Sequence, residues 1–178
     1  KFRQVWRNNM MEAEEPVITN CKKDDYTEVT FVPDLSKFHM TELDDDIISL
    51  LTKRVYDVAG TTAKDVTVYL NGTKLPVKCF KDYVKLYSLD KKVVYEDVNE
   101  RWSVGVCVSD GQAQQVSFVN SICTSRGGKH VQHVTSQIAK YLLEHVEKKN
   151  KSFPLKLHHI KNHLFIFVNS LIENPSFD

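Results

Sequence analysis

The chain has 178 residues, 42% hydrophobic and 26% charged, enough apolar side chain for a folded core and too much for a disordered segment. No apolar run approaches the roughly 20 residues that a bilayer span needs, and the longest, Leu164 to Val168, has the length of a strand. A net charge of +1 excludes a global field that draws in nucleic acid, so any DNA contact must rest on a local patch.

The first residues, Lys1 to Asn20, have no signal-peptide pattern and no initiator Met, which is expected of a processed chain or a fragment. Phe2 to Trp6 alternates weakly as a strand would, and Asn8 to Asn20 reads as a polar loop. Tyr26 to Val32 alternates cleanly, with Val29 and Phe31 on one face, and Pro33 ends it. Thr41 has the character of a helix N-cap, with Asp44 three residues on. Leu43, Ile47, Leu50, Leu51, Val55 and Val58 follow at helical spacing, and Gly60 is a natural stop. Asp65 to Leu70, Asn71-Gly72 and Thr73 to Val77 make a hairpin, because Asn-Gly supplies the positive φ angles of a tight turn. Residues 80 to 100 are charged and mixed, and a boundary between elements is expected there.

Trp102 to Val108 alternates as a strand, Ser109-Asp110-Gly111 turns, and Gln115 to Cys123 returns as its hairpin partner. After Thr124 to Gly128, a break, an amphipathic helix runs from about His130 to Lys149, with Val131, Val134, Ile138, Leu142 and Val146 on its apolar stripe. Pro154 interrupts, and the last strand is Leu164 to Leu171. The order is that of a mixed α+β fold in two halves. Cys21, Cys79, Cys107 and Cys123 form no Cys-x-x-Cys pair, which argues against zinc. Cys107 and Cys123, set in apolar runs, read as reduced core cysteines.

Three stretches have a more specific pattern: Val98-Asn99-Glu100-Arg101-Trp102, Gln114 to Ile122, and Arg126-Gly127-Gly128-Lys129-His130-Val131. With the tail Lys161-Asn162-His163 and Phe167 to Pro175, they resemble the transducer region of eukaryotic type II DNA topoisomerases. Asp34-Leu35-Ser36-Lys37-Phe38 and Leu70 to Val77 resemble the last part of that family's ATP-binding domain. The resemblance is collinear over nearly the whole chain. It implies the end of a GHKL-type ATPase domain over residues 1–94, followed by an incomplete ribosomal-protein-S5-like transducer over 95–178. It implies a nuclear, homodimeric, ATP- and Mg2+-dependent parent enzyme that passes one DNA duplex through another, with no membrane partner. In that parent this segment couples ATP binding to the DNA gate.

The chain itself offers little chemistry. The family's nucleotide site uses a Glu-x-x-x-Asn helix and a Gly-rich lid, and neither is found. Asn169 and Glu173 have that separation in reversed order on a strand, where positions four apart do not stack as on a helix. The lysine that the family places on the γ-phosphate is expected just past Asp178. No catalytic or cofactor-binding residue is assigned, and the chain alone is expected to be inactive. His158, His159 and His163, and His130 with His133, have ligand-like spacing, but no cysteine or carboxylate completes either set and no metal site is assigned. The glycines of Arg126-Gly127-Gly128-Lys129-His130 fit a phosphate cradle or, more simply, a strand-to-helix turn.

Lys148, Lys149 and Lys151 close the long helix. Lysines there are favoured by the helix dipole alone, but the resemblance implies that this basic run touches double-stranded DNA, through non-specific phosphate contacts. Four positions depart from the family pattern: Ala113 replaces an aromatic residue, Gln132 and His133 an acid and a tyrosine, and Glu147 a lysine. The alternative to a topoisomerase segment is a stand-alone, non-catalytic module that binds DNA or a topoisomerase.

Overall fold

In the computed structural model the described residues are 1–22, 25–88, 90–149 and 154–177. They divide into two compact units, Lys1–Ile48 and Ser49–Asp178. In the first, β1 (Phe2–Arg3) pairs antiparallel with β4 (Val17–Ile18), and β2 (Trp6–Arg7) with β3 (Glu12–Ala13). Asn8, Asn9 and Met10 all have positive φ and turn the chain between them. Part of the expected loop, Asn8 to Asn20, is therefore the return arm of an interrupted hairpin. Tyr26 to Val32, expected as a strand, pairs with no described strand. Its apolar residues stand in solvent, Val32 at 92% exposure. Alternation gives a strand its face, but a ladder also needs a neighbour. A 3₁₀ turn, Leu35–Phe38, follows. Asp34 before it accepts hydrogen bonds from Ser36 Oγ (2.6 Å) and Asn9 Nδ2 (3.1 Å), which hold its carboxyl below the usual range.

Helix α1 is Asp45–Thr61, and the side chain that caps its start is Asp44 rather than Thr41. The Asp44 side chain accepts the Ile47 N–H (2.9 Å), satisfying one of the donors a helix start leaves open. Gly60 lies inside α1 instead of ending it. The hairpin β5 (Tyr69–Leu70) and β6 (Thr73–Lys74) is shorter than expected but turns where expected, with φ of +49° at Asn71 and +78° at Gly72. The mixed segment then holds a helix the sequence reading missed, α2 (Phe80–Lys85). Phe80, Tyr83, Val84 and Tyr87 stand at i, i+3, i+4 and i+7, and the first three are buried. The lysines and acids between them hid that stripe.

Five strands form the main sheet: β7 (Val94–Asn99), β8 (Trp102–Val108), β9 (Gln114–Val119), β10 (Ile122–Cys123) and β11 (Leu164–Ser170), in the order β10-β9-β11-β8-β7. β8 and β9 are therefore not the hairpin partners they seem in sequence. β11 lies between them, antiparallel to β8 and parallel to β9. The expected strand Gln115 to Cys123 breaks at Asn120 and Ser121, whose positive φ angles make a tight turn into β10. Helix α3 (Lys129–Lys149) and the short α4 (Leu157–Asn162) lie between β10 and β11 in the chain.

The continuous apolar run of β11 belongs to a strand buried on both faces. Leu164, Ile166 and Val168 pack with Val131, Val134, Ile138, Ala139 and Leu142 of α3. Phe167 on the other face joins Phe118, Cys107, Phe80, Tyr83 and Val84. The sheet thus separates α3 and α4 from the 49–94 segment. Among the four cysteines, all free, Cys107 is buried but Cys123 is exposed, because β10 is an edge strand.

The close approach at Gly60 fixes α1 on α2. A Cβ there would lie 2.6 Å from Tyr83 Cβ and 2.7 Å from its Cγ, at the root of a side chain that cannot swing away. Gly60→Ala gains about 1 kcal/mol of helix propensity but overpacks a buried contact, which costs about 1–3 kcal/mol or more. Net destabilisation is the expected outcome in a denaturant titration, and a stabilised variant would show that the two helices are not held this closely.

Candidate nucleic-acid interface

Helix α3 places two of the sequence-predicted DNA contacts. Its apolar stripe is committed to β11 and α4, so its last turn projects Lys148 and Lys149, both exposed. Lysine is a compact point charge on a flexible stem and meets a phosphate without demanding a fixed geometry. Lys151 lies outside the described residues. Glu147, also exposed, is an acid within the patch. Of the other departures, Gln132 and His133 are exposed on the first turns of α3. Ala113 is exposed just before β9, so its small side chain opens no buried cavity.

The Arg126 to His130 segment is a structural turn in its described contacts. Gly127 (φ +75°) and Gly128 (φ +148°) adopt conformations that disfavour side chains. The Gly127 N–H donates to Thr124 O (2.8 Å), so it is not aimed at a ligand. Gln115 Nε2 donates to the carbonyls of Thr124 (3.1 Å) and Ser125 (2.9 Å), and Thr124 Oγ1 meets both Ser117 Oγ and, at 3.1 Å, His130 Nε2.

A polar network that the sequence reading missed lies under α1. Asp57 is buried, and its carboxylate accepts both Lys53 Nζ (2.9 Å to each oxygen) and Tyr83 Oη (2.5 Å). Tyr87 Oη lies 2.9 Å from Tyr83 Oη. Burial and then the Asp57 hydrogen bond push the Tyr83 hydroxyl far above the usual tyrosine range, so it stays a donor. The Lys53–Asp57 spacing of four on one helix was the available signal. The β9–β10 turn makes a second junction. Arg54 donates to Ser121 O (2.7 Å), and the Asn120 amide pairs with both backbone groups of Ile172, donating to O (3.0 Å) and accepting from N (2.9 Å). One two-residue turn therefore ties α1 to the segment leaving β11.

The described residues do not supply a fitting set for a nucleotide and its magnesium. Asn169 sits within β11, its Oδ1 buried and without a hydrogen-bond partner, whereas Glu173 is exposed and paired with Arg101 (3.0 Å). Among the described residues no group of three or more His, Cys, Asp or Glu is placed to hold a metal ion.

His130 generates a pH prediction. Burial lowers its pKa from the ordinary 6.5, so the unfolded chain takes up the proton first. The stability linked to His130 is complete above about pH 6.5 and is lost as pH falls through the lower folded value. His130→Gln, which keeps a polar partner for Thr124, is expected to flatten that acid limb in unfolding titrations. An unchanged pH dependence would contradict the assignment.

Comparison with known proteins agrees with this architecture. The family described as DNA gyrase B matches residues 79–178. DNA topoisomerase 2 of Arabidopsis thaliana is 54% identical over 100% of this chain and 13% of its own length. The crystal structure of the ATPase region of Saccharomyces cerevisiae topoisomerase II superposes with a TM-score of 0.91 at 47% identity, covering 99% of this chain and 46% of that one. The ATPase and transducer domains of DNA topoisomerase II from Balamuthia mandrillaris give 0.82 at 39% identity, again over 99% and 46%. The chain thus spans 13% of the length of the Arabidopsis relative and matches the α+β fold of these ATPase regions, a GHKL domain plus an S5-like transducer. It belongs to the DNA gyrase B family, and over nearly its whole length it is similar to the ATPase and transducer regions of eukaryotic type II DNA topoisomerases.

Proposed function

We propose that this chain is the coupling segment of an ATP-hydrolysing type II topoisomerase, a nuclear homodimer that passes one duplex through another and needs ATP and Mg2+. Residues 1–94 are the end of its GHKL domain and 95–178 the transducer. On this reading the chain alone does not hydrolyse ATP, because its sequence has neither the Glu-x-x-x-Asn helix nor the Gly-rich lid that the family's nucleotide site uses. The observation that carries the reading is the shared core across position 94. Phe80, Tyr83 and Val84 pack with Phe118 and Phe167, with the rings of Tyr83 and Phe118 edge to face at 5.5 Å. A shift of α1 or α2 on the nucleotide side is therefore imposed on the sheet, since close-packed cores move as bodies rather than deform. The Arg54–Ser121 and Asn120–Ile172 contacts supply a second, polar connection. Lys148, Lys149 and Lys151 are the proposed DNA contacts, and they make the readout of nucleotide state local to the duplex.

Three measurements test this. Blotting source cells with an antibody against the chain is expected to show a band several-fold larger than 20.5 kDa, and a band at the chain's own size would favour the stand-alone module. Lys148→Ala with Lys149→Ala is expected to reduce the slope of log affinity against log salt by about two units, and an unchanged slope would remove these residues from the interface. In the parent enzyme, Arg54→Ala with Asn120→Ala is expected to keep ATP hydrolysis but lower the number of supercoils removed per ATP. Equal losses in both would contradict a coupling role.

A further inference from the structure

One hairpin tip in the second unit is placed to react with its own backbone. The chain has ten asparagines, and only Asn71 precedes a glycine. That pair forms the two-residue loop between β5 and β6, with φ of +49° at Asn71 and +78° at Gly72. Both residues are exposed, as are Tyr69, Thr73 and Lys74 of the flanking strands. A Cβ on Gly72 would meet none of the described residues within 4 Å. The Gly72 nitrogen is therefore shielded neither by a side chain of its own nor by a packed neighbour.

Other asparagines differ in the respects that matter for such a reaction. Asn120 has the same φ of +49°, but Ser121 follows it and Ile172 holds its amide at both ends. Asn99 Oδ1 accepts the Arg101 N–H (2.8 Å), and Asn169 stands inside β11. Asn174 precedes Pro175, whose nitrogen carries no proton. The ladder that closes the Asn71 loop is also short. Its two rungs are Tyr69 with Lys74 and Leu70 with Thr73, and its strands pair with no other described strand. Such a hairpin frays at a free energy well below that of global unfolding. Attack on the Asn71 side chain needs rotation at its ψ, which the intact turn resists and the frayed one allows.

We propose that Asn71 is a self-modification site, deamidated by the Gly72 backbone nitrogen, and that its product loosens the hairpin where it enters the Tyr83 core. In the first step the Gly72 nitrogen bonds to Asn71 Cγ. The Cγ–Nδ2 bond breaks, and the side-chain nitrogen leaves as ammonia, taking the Gly72 amide proton. The product is a cyclic succinimide, which water opens at either carbonyl. Opening at Cγ gives aspartate. Opening at the Asn71 main-chain carbonyl gives isoaspartate, in which the chain runs through the side chain. Nothing is oxidised or reduced, and a neutral amide becomes a carboxylate, so the formal net charge falls from +1 to zero. Isoaspartate adds a methylene to the main chain, and a two-residue loop cannot absorb it without shifting Leu70 against Thr73. Leu70 and Val68 pack on the core that holds Leu75, Val77 and Tyr83, and the Leu75 N–H donates to Val68 O (3.0 Å). The shift therefore acts on buried side chains. This inference does not depend on the DNA or coupling readings.

The test incubates the purified chain at mildly alkaline pH, with circular dichroism confirming the fold. Ion exchange follows the acidic form, and peptide mapping by mass spectrometry locates it. Asn71 is expected to convert before any other asparagine, at a rate within about tenfold of that in the urea-unfolded chain, as local fraying requires. Protection by a factor of about 10³ or more, the scale of global unfolding, overturns the inference. Earlier conversion at another asparagine does the same. Asn71→Gly keeps the positive φ of the turn and removes the amide, so the early acidic form should vanish, and its persistence contradicts the assignment. Asn71→Asp separates the new charge from the longer backbone. It is expected to keep the Leu75 amide protected in hydrogen exchange, while the isolated isoaspartate form loses protection there by about tenfold. Equal protection in the isoaspartate form and the unmodified chain would break the link to the core.

Discussion

Tyr83 joins three parts of the second unit through one side chain. Its Cβ and ring stand against Gly60 of α1 so closely that no side chain fits between. Its edge-to-face contact with Phe118 reaches the sheet, and its hydroxyl is spent on a buried carboxylate, Asp57. Each contact constrains the others. The ring cannot turn without removing a donor from Asp57, and leaving a buried charge under-satisfied costs several kcal/mol. α1 cannot slide without either opening a void or driving its backbone into the ring. Lys53 closes the network from the partly exposed side, so the charge of Asp57 is balanced although the residue is buried.

The sheet extends this constraint to the far side of the unit. β11 is apolar on both faces: Phe167 looks toward the Tyr83 core, while Ile166 and Val168 look toward α3. Its neighbours along the sheet are non-consecutive strands. A displacement on the α1–α2 side therefore meets a single central strand before it meets α3, whose last turn carries Lys148 and Lys149. The Tyr83 core packs on one face of that strand and α3 on the other.

Much of this was legible in the sequence where local physics decides. The Asn71-Gly72 turn, the Trp102–Val108 strand and the long amphipathic α3 follow from φ preference and periodicity, and appear close to where those place them. The collinear resemblance gave the family because it rests on many residues in order. What sequence could not show was pairing. β8 and β9 look like consecutive hairpin strands, but β11, more than forty residues further on, separates them, and only non-local burial chooses that arrangement. Tyr26 to Val32 has the pattern of a strand and no partner. Gly60 looks like a helix stop because its actual reason, the Tyr83 ring, is distant in sequence. The α2 stripe was visible in principle at Phe80, Tyr83, Val84 and Tyr87 but was read as a boundary on its charges. Of the site residues, Lys148 and Lys149 were placed by the helix end. The Asp57 network was missed because its partners come from two helices.

Native-state hydrogen exchange tests most directly whether the 49–94 segment and the sheet form one mechanical body. Amides of the second half of α1, of α2 and of β11 are followed against low concentrations of denaturant. If Tyr83 locks them together, they exchange through the same opening, with matching free energies and matching denaturant dependence. If α1 and α2 open at clearly lower free energy while β11 stays protected, the segment is a loosely docked part and cannot transmit force to the sheet.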